Sequence, residues 1–393
     1  MHHTMTSRTA ALLALLLLGC GGGTVQANPA PMEIRAVVRV PCQGPDCDGE
    51  ATPAPETGRS PITMLALGWS HSCALVEDGG IYCWGANNRG QLGDIGDGER
   101  GVPTRVPGLG TMDAVWAGGE MTCARETGEG TIQCWGETGL GPNREQSFAT
   151  PLPYSGVHAM ALGYGTGCFV NEAHVFCWGE YGRPHGPSWN TPTRVEVPRG
   201  VSGLVAGMQR HCGLDTRGRI NCWGRTLAYW HPERVADPVW RIPDLAGVRM
   251  IALAGGPHGR PWIVDRHGHV QRTDTGDEDR RHGTTHVALH EIAGIEDPAT
   301  LVAGGGGHAC SRLSNGTAAC WGSNESGQLG DGTTATRSEA RYLELGGVQE
   351  IEVGQHHTCA RAEGGLYCWG RNDSGQVAAE RTTRIHEPTV MPW

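Results

Sequence analysis

The chain contains no lysine: all 31 of its basic residues are arginine. Schiff-base chemistry and a phosphate-loop lysine are therefore excluded. The formal net charge is −10, and the arginines form no basic cluster, which argues against a nucleic-acid partner. Long apolar stretches are also missing. The run from Ala10 to Leu18 is nine residues, well short of the about 20 that span a bilayer as a helix. No Gly-x-Ser-x-Gly elbow, His-Glu-x-x-His pair, Ser-His-Asp signature or phosphate loop occurs. Asp277, Glu278 and Asp279 lie beside Arg280, Arg281 and His282, which reads as a solvated charged loop and not as an acid–base pair. These absences predict a non-enzymatic chain that needs no cofactor.

What is present is repetition. Six times a cysteine is followed by a hairpin's length of chain and then by Cys-Trp-Gly. The pairs are Cys73 with Cys83, Cys123 with Cys134, Cys168 with Cys177, Cys212 with Cys222, Cys310 with Cys320, and Cys359 with Cys368. Where copies adjoin, the unit recurs every 43 to 51 residues, the signature of a repeat architecture. If the paired cysteines face each other across a hairpin, the loops are Glu77-Asp78-Gly79, Thr216-Arg217-Gly218 and Ser314-Asn315-Gly316, each ending in glycine. That is the chemistry of a three-residue hairpin closed by a left-handed residue. Glu172-Ala173 and Glu363-Gly364 give two-residue loops, and Thr127 to Gly130 a four-residue loop. Counting outward places every pair at a non-hydrogen-bonded rung, where Cα atoms are about 4.5 Å apart, near the short end of disulfide reach. A seventh copy, Trp262 to Arg272, aligns Gly268 with Gly218 and replaces both cysteines together, by Trp262 and Arg272. Cross-strand disulfides are lost in that way; independent zinc ligands are not. The intervals between cysteines also lack the Cys-x-x-Cys spacing of zinc sites.

The cysteine arithmetic closes if the chain is exported. Arg8, the apolar run and Leu17-Leu18-Gly19-Cys20 resemble a bacterial lipoprotein signal, with residues 1–19 removed and Cys20 carrying lipid. Gly21 at the next position implies the outer membrane, by resemblance to sorting in Gram-negative bacteria. Of 15 cysteines, one is then the anchor, twelve form hairpin pairs, and Cys42 and Cys47 make a local loop. Residues 20–61, rich in Gly, Pro, Ala and Glu, read as the lipidated cysteine and a disordered tether with a reach of about 35 Å. Membrane contact is expected only through the anchor, and residues 62–393 form the repeat domain of a monomer.

The strings Gly68-Trp-Ser-His-Ser-Cys-Ala-Leu75 and Trp84-Gly-Ala-Asn-Asn-Arg-Gly-Gln-Leu-Gly-Asp94, with their counterparts around Cys310 and Trp321, resemble the regulator-of-chromosome-condensation repeat. The likeness spans residues 62–393, with the Gly-Gln-Leu-Gly part decayed in copies two to five. It implies an all-β fold, a seven-bladed β-propeller of four-stranded blades, stapled here at its hairpins. Short strands, Gly-rich turns and radial closure agree. The chain ends in Pro388-Thr-Val-Met-Pro-Trp393, like the segment that closes other units, so the C-terminal strand is expected to complete a blade begun by the N-terminus. The family includes an exchange factor for a small GTPase, an ultraviolet photoreceptor and a secreted β-lactamase inhibitor. Nucleotide exchange does not suit an exported chain. Six of the 13 tryptophans sit in Cys-Trp-Gly and read as blade core, unlike a photoreceptor's exposed cluster.

Candidate sites are few. His71, His211, His308, His356 and His357 precede the cysteines and read as structural imidazoles bonded to a neighbouring blade. Asp94, Asp97 and Glu99 offer oxygen ligands of the kind calcium takes, but without a calcium-loop pattern. Trp189, Tyr229, Trp230, His231, Trp240, Trp262, His282 and His286 lie in the degenerate copies, outside the repeat pattern. As residue types common in interfaces, they are the expected partner-binding set, for a protein or glycan in the envelope or beyond it. The competing expectations are a hydrolase or lyase of envelope polymers, marked by a carboxylate cluster in the central funnel, and a purely structural envelope protein. Peptide mass mapping without reduction should recover the six hairpin pairs; free thiols or pairing between blades would refute the hairpin reading.

Overall fold

In the computed structural model the described residues are 59–393, without 95–97, 141–144, 173, 180–188, 198–199, 208–209, 225–236, 242–246, 254–260 and 276–286. Among them, 28 strands form seven four-stranded antiparallel sheets, each built from four consecutive strands in chain order. Blade 1 comprises β1 (Ile62–Leu67), β2 (His71–Val76), β3 (Ile81–Gly85) and β4 (Arg100–Arg105). Blades 2 to 7 span 112–152, 157–195, 201–241, 250–291, 299–342 and 350–390. The fold is the seven-bladed propeller anticipated above.

Burial falls from the axis outward. The first strand of a blade lines the central channel and packs against neighbouring blades on both faces. It therefore reads as a nearly continuous apolar run, Ile-Thr-Met-Leu-Ala-Leu in β1, with only Thr63 exposed. The outer strand β4 buries only Pro103 and leaves Val102 and Arg105 in solvent.

All six cysteine pairs face each other across the second and third strands of their blades. Cys73 stands opposite Cys83, Cys123 opposite Cys134, and Cys168 opposite Cys177. Cys212 stands opposite Cys222, Cys310 opposite Cys320, and Cys359 opposite Cys368. Their Cα separations are 4.0 to 4.1 Å, and each pair is bonded as a disulfide. In blade 5 the same rung holds Trp262 opposite Arg272. The hairpin glycines Gly79, Gly218 and Gly316 have φ of 81°, 71° and 80°, as the loop lengths require. The glycine of Cys-Trp-Gly has a separate reason. Gly85 has φ 104°, and a Cβ there would lie 2.5 Å from the Ser70 carbonyl oxygen.

A repeated polar relay ties adjacent blades. The Thr122 hydroxyl of blade 2 donates to the Gln91 carbonyl of blade 1 over 3.0 Å, and the Trp135 indole N–H donates to the same oxygen over 3.0 Å. With its proton so used, Thr122 accepts from His71 Nε2 of blade 1, 2.9 Å away. This fixes the tautomer with the proton on Nε2 and leaves Nδ1 a bare, buried acceptor. Blades 6 and 7 repeat the arrangement with His308, Thr358, Gln328 and Trp369. Blade 7 joins blade 1 in the same way, through His357, Ser72, Gln376 and Trp84. Blade 2 lacks the Gly-Gln-Leu string, and there the Thr138 carbonyl accepts from Trp178 over 2.8 Å.

That closing junction between blades 7 and 1 corrects one expectation. The C-terminal strand, Arg384–Val390, completes blade 7, which begins at Glu350, and does not join a blade begun by the N-terminus. The repeat starts at Ile62 in phase with the blade, so no strand is left over to exchange. Closure rests on the His357–Ser72 relay, on Ser374 and Arg381 bonding to Glu99, and on Trp393 set edge-on to Tyr82 at 5.5 Å.

His71, His211, His308 and His357 are each pushed down by burial from 6.5 to about 3. They are neutral in the folded chain, whereas the unfolded chain binds protons below 6.5. Stability should therefore be full above pH 6.5 and fall as pH drops toward 3, by up to about 1.4 kcal/mol per pH unit for each histidine. Urea unfolding across this pH range checks it, and His308→Gln should flatten the slope.

Candidate functional site: the channel-mouth face

One face of the propeller carries the loops that join first to second strands and third to fourth strands. At its centre is the channel, a cavity of about 190 Å³ lined by backbone and by small or apolar side chains such as Ala66, Ala161, Ala252 and Ala303. Among the described residues, Glu352 is its one carboxylate. The funnel thus supplies no carboxylate pair for acid–base work.

At the mouth, Trp69 and Tyr164 stack with centroids 4.5 Å apart and planes 8° from parallel. They come from blades 1 and 3, across blade 2. The crossing needs glycine beneath it: a Cβ on Gly118 would lie 1.9 Å from the Leu162 carbonyl oxygen, and Gly119 has φ 55°. The Trp69 amide donates to Gly119 over 2.8 Å. Tyr164 remains 38% exposed, so one ring of the pair faces outward.

The seams between blades differ around this face. Between blades 1 and 2, Arg89 is held by Glu120 at 3.4 Å and Glu137 at 4.0 Å. Between blades 6 and 7 the corresponding positions are Ser326, His356 and Arg371. That seam opens into a cleft of about 550 Å³, also lined by Glu325, Asp373 and Arg384. The His356 imidazole is lowered below its ordinary value, first by burial and then by the Arg371 charge, against the pull of Glu325 and Asp373. Burial raises the Asp373 carboxyl, but hydrogen bonds from Arg371, at 2.7 Å from Nε, and from Gln376 outweigh it and hold it below the carboxylate range. An ionised, arginine-bound carboxylate beside a neutral imidazole binds hydrogen-bonding groups well and donates protons poorly.

Few of the residues expected to bind a partner meet on this face. Trp189 and Trp240 lie in outer strands, opposite Gly179 and Cys222. Trp262 is 6% exposed and packs edge-on against Trp321 at 6.1 Å; it fills the space that the missing disulfide would hold and is no surface residue. Tyr229, Trp230, His231, His282 and His286 lie outside the described residues, as do Cys20, Cys42, Cys47 and Asp97. Asp94 turns to Asn87 and Arg100, and Glu99 to Arg381 and Ser374. Trp69 and Tyr164 were missed because they sit inside the repeat string, and His356, expected as a structural imidazole, instead lines the cleft. The usable signal was variation at fixed phase: one step after Gly68, Gly118, Gly163 and Gly354 come Trp69, Gly119, Tyr164 and Gln355.

Two family profiles, both described as the regulator of chromosome condensation (RCC1) repeat, match residues 62–91, 299–328 and 348–376, and residues 78–125 and 315–361. Residues 62–125 and 299–376 thus match regulator-of-chromosome-condensation repeats. The matched segments contain the three relay glutamines, Gln91, Gln328 and Gln376. The chain is 22% identical over 340 residues to the ultraviolet-B receptor UVR8 of Arabidopsis thaliana, covering 77% of this chain and 75% of that protein. It is 25% identical over 365 residues to the E3 ubiquitin-protein ligase HERC2 of Mus musculus, covering 72% of this chain but 8% of the ligase. The chain therefore spans less than a tenth of that relative. Among solved structures, the CRINKLY ectodomain of the Arabidopsis thaliana receptor kinase ACR4 is similar at 17% identity and a TM-score of 0.50, covering 82% of this chain and 99% of that one. Yeast RCC1 (Prp20) bound to Kap60 is similar at 19% identity and a TM-score of 0.47, covering 84% and 74%.

Proposed function

We propose that this chain is a non-enzymatic lipoprotein of the cell envelope, anchored through Cys20, whose repeat propeller binds a protein partner on the channel-mouth face. The observation that carries the reading is the composition of that face. It carries a half-exposed aromatic pair, Trp69 and Tyr164, and, at the seam of blades 6 and 7, a polar cleft with His356, Arg371 and Arg384. Aromatic and arginine side chains are those on which interfaces concentrate their energy. Among the described residues, the funnel's single carboxylate, Glu352, and the arginine-bound Asp373 offer a hydrolase or lyase no paired acid and base. Six buried disulfides suit an oxidising compartment, in keeping with the lipobox-like Leu17-Leu18-Gly19-Cys20. The ligase match, at 8% of that protein's length, brings no activity with it.

Crosslinking of the tagged protein in its native cells tests this reading. One recurrent protein partner should be recovered, and Tyr164→Ala combined with His356→Ala should reduce its recovery at least about tenfold with unchanged thermal melting. Cys20→Ser should move the protein from the membrane fraction to the soluble one. Recovery unaffected by the double substitution would place the binding surface elsewhere, and membrane retention of Cys20→Ser would remove the anchor.

A further inference from the structure

Each blade of a propeller ends in an edge strand, and an open edge pairs with other chains unless something blocks it. The cysteine rung shows which backbone groups face outward. Because Cys83 pairs with Cys73 at a non-hydrogen-bonded rung, its own N–H and C=O face Thr104. The backbone groups of Thr104 are thus spent on β3, and those of Pro103 and Arg105 turn outward. Bonds farther along agree: Val106 donates inward to Ile81 over 2.8 Å, and the outward Pro192 carbonyl accepts from the Tyr154 hydroxyl.

By this count, blades 1, 3 and 7 place Pro103, Pro192 and Pro388 at the outward position preceding the inward-bonded Thr104, Thr193 and Thr389. Proline has no N–H to offer there. Blade 2 has Pro151 one rung farther, and blade 4 has Pro238 within its bulge. Blade 6 has no proline, but its outward Ala340 amide is capped by the Ala293 carbonyl at 2.8 Å. All six of these outer ladders also carry a register shift, and a bulge is a second guard against edge pairing.

Among the described residues, blade 5 has none of these devices. Its outer strand, Val287–Glu291, runs against Val270–Thr275 for five successive rungs without a shift and without proline. Ile292 donates inward to Val270 over 2.9 Å, which makes His290 inward-bonded and turns the backbone groups of Val287, Leu289 and Glu291 outward. Among the described residues these outward groups have no partner, and Leu289 is 39% exposed.

We infer that this edge is an interface between two copies of the chain, paired antiparallel about a twofold axis through Leu289. The strand is complementary to itself in that register. Leu289 meets Leu289 of the second copy, and each Glu291 pairs in register with a Val287. The two Glu291 residues lie four residues apart along the strand, about 14 Å, beyond the screening length of about 8 Å. An eight-stranded sheet then runs through both fifth blades. Five residues make a weak contact, which two anchors in one membrane would strengthen by raising local concentration. This proposal of a concentration-dependent dimer departs from the monomer expected from sequence.

Sedimentation velocity of the full chain over a dilution series should show that dimer. Leu289→Pro should abolish it with melting unchanged, because the N–H it removes bonds nothing within the blade. In an oxidised sample Leu289→Cys should form a disulfide-linked dimer, since facing Cα atoms at such a rung are about 5.5 Å apart. Glu291→Cys should not. A monomer at every concentration, a dimer that survives Leu289→Pro, or equal crosslinking at 289 and 291 would overturn the inference. Loss of the envelope partner through Tyr164 and His356 is a separate result, because those residues lie on the channel-mouth face and not on the perimeter.

Discussion

The main-chain carbonyl oxygens of three glutamines organise three of the seven seams of this propeller. Gln91, Gln328 and Gln376 each receive an indole N–H and a hydroxyl from the following blade, and the hydroxyl in turn receives a histidine Nε2–H. Each donor is desolvated, so each would be costly unpaired. The relay therefore sets both the spacing and the rotation of adjacent blades. Trp84, Trp135 and Trp369 of the Cys-Trp-Gly strings serve this relay: the ring fills the seam and the indole nitrogen locates the neighbour. The disulfides do a different job. They hold the second and third strands of single blades and never cross a seam.

The loop between first and second strands varies at two positions that the relay does not use. Trp69, Gly119, Tyr164 and Gln355 occupy one such position, and Ser70, Glu120, Gly165 and His356 the next. The scaffold thus separates residues that must be kept for closure from residues that can change the face it presents. Blades 3 to 5 have lost parts of the string and meet the same need by other means. His211 stacks on Trp223, Trp223 donates to Cys177 Sγ, and Trp262 fills the place of a disulfide against Trp321.

Much of the fold was legible in particular residues. The intervals between cysteines gave hairpin loops of the right length, and Gly79, Gly218 and Gly316 have the positive φ those loops demand. The paired loss of cysteines at 262 and 272 identified the cross-strand rung in advance. The candidate site was less legible. Aromatic residues in the irregular copies drew attention, yet Trp262 is buried, while Tyr164 was hidden in phase with the repeat and His356 was read as structural. A tryptophan's exposure depends on which blade stands beside it, and local composition does not carry that.

The sequence by itself determined what acts within a dozen residues of chain: hairpins, disulfide rungs, strand polarity, blade number and the likeness to an exported lipoprotein. Only the tertiary structure decided how the ring closes, which seam opens and which edge is bare. The reason is physical. Ser72 and His357 are 285 residues apart, and Ser374 and Glu99 are 275 apart. Such pairs meet only after seven blades have added their rotations. Among the described residues, the bare edge of blade 5 is defined by the absence of a proline, a bulge and a cap at once, and the cap on blade 6 is made by Ala293, in the link that follows blade 5.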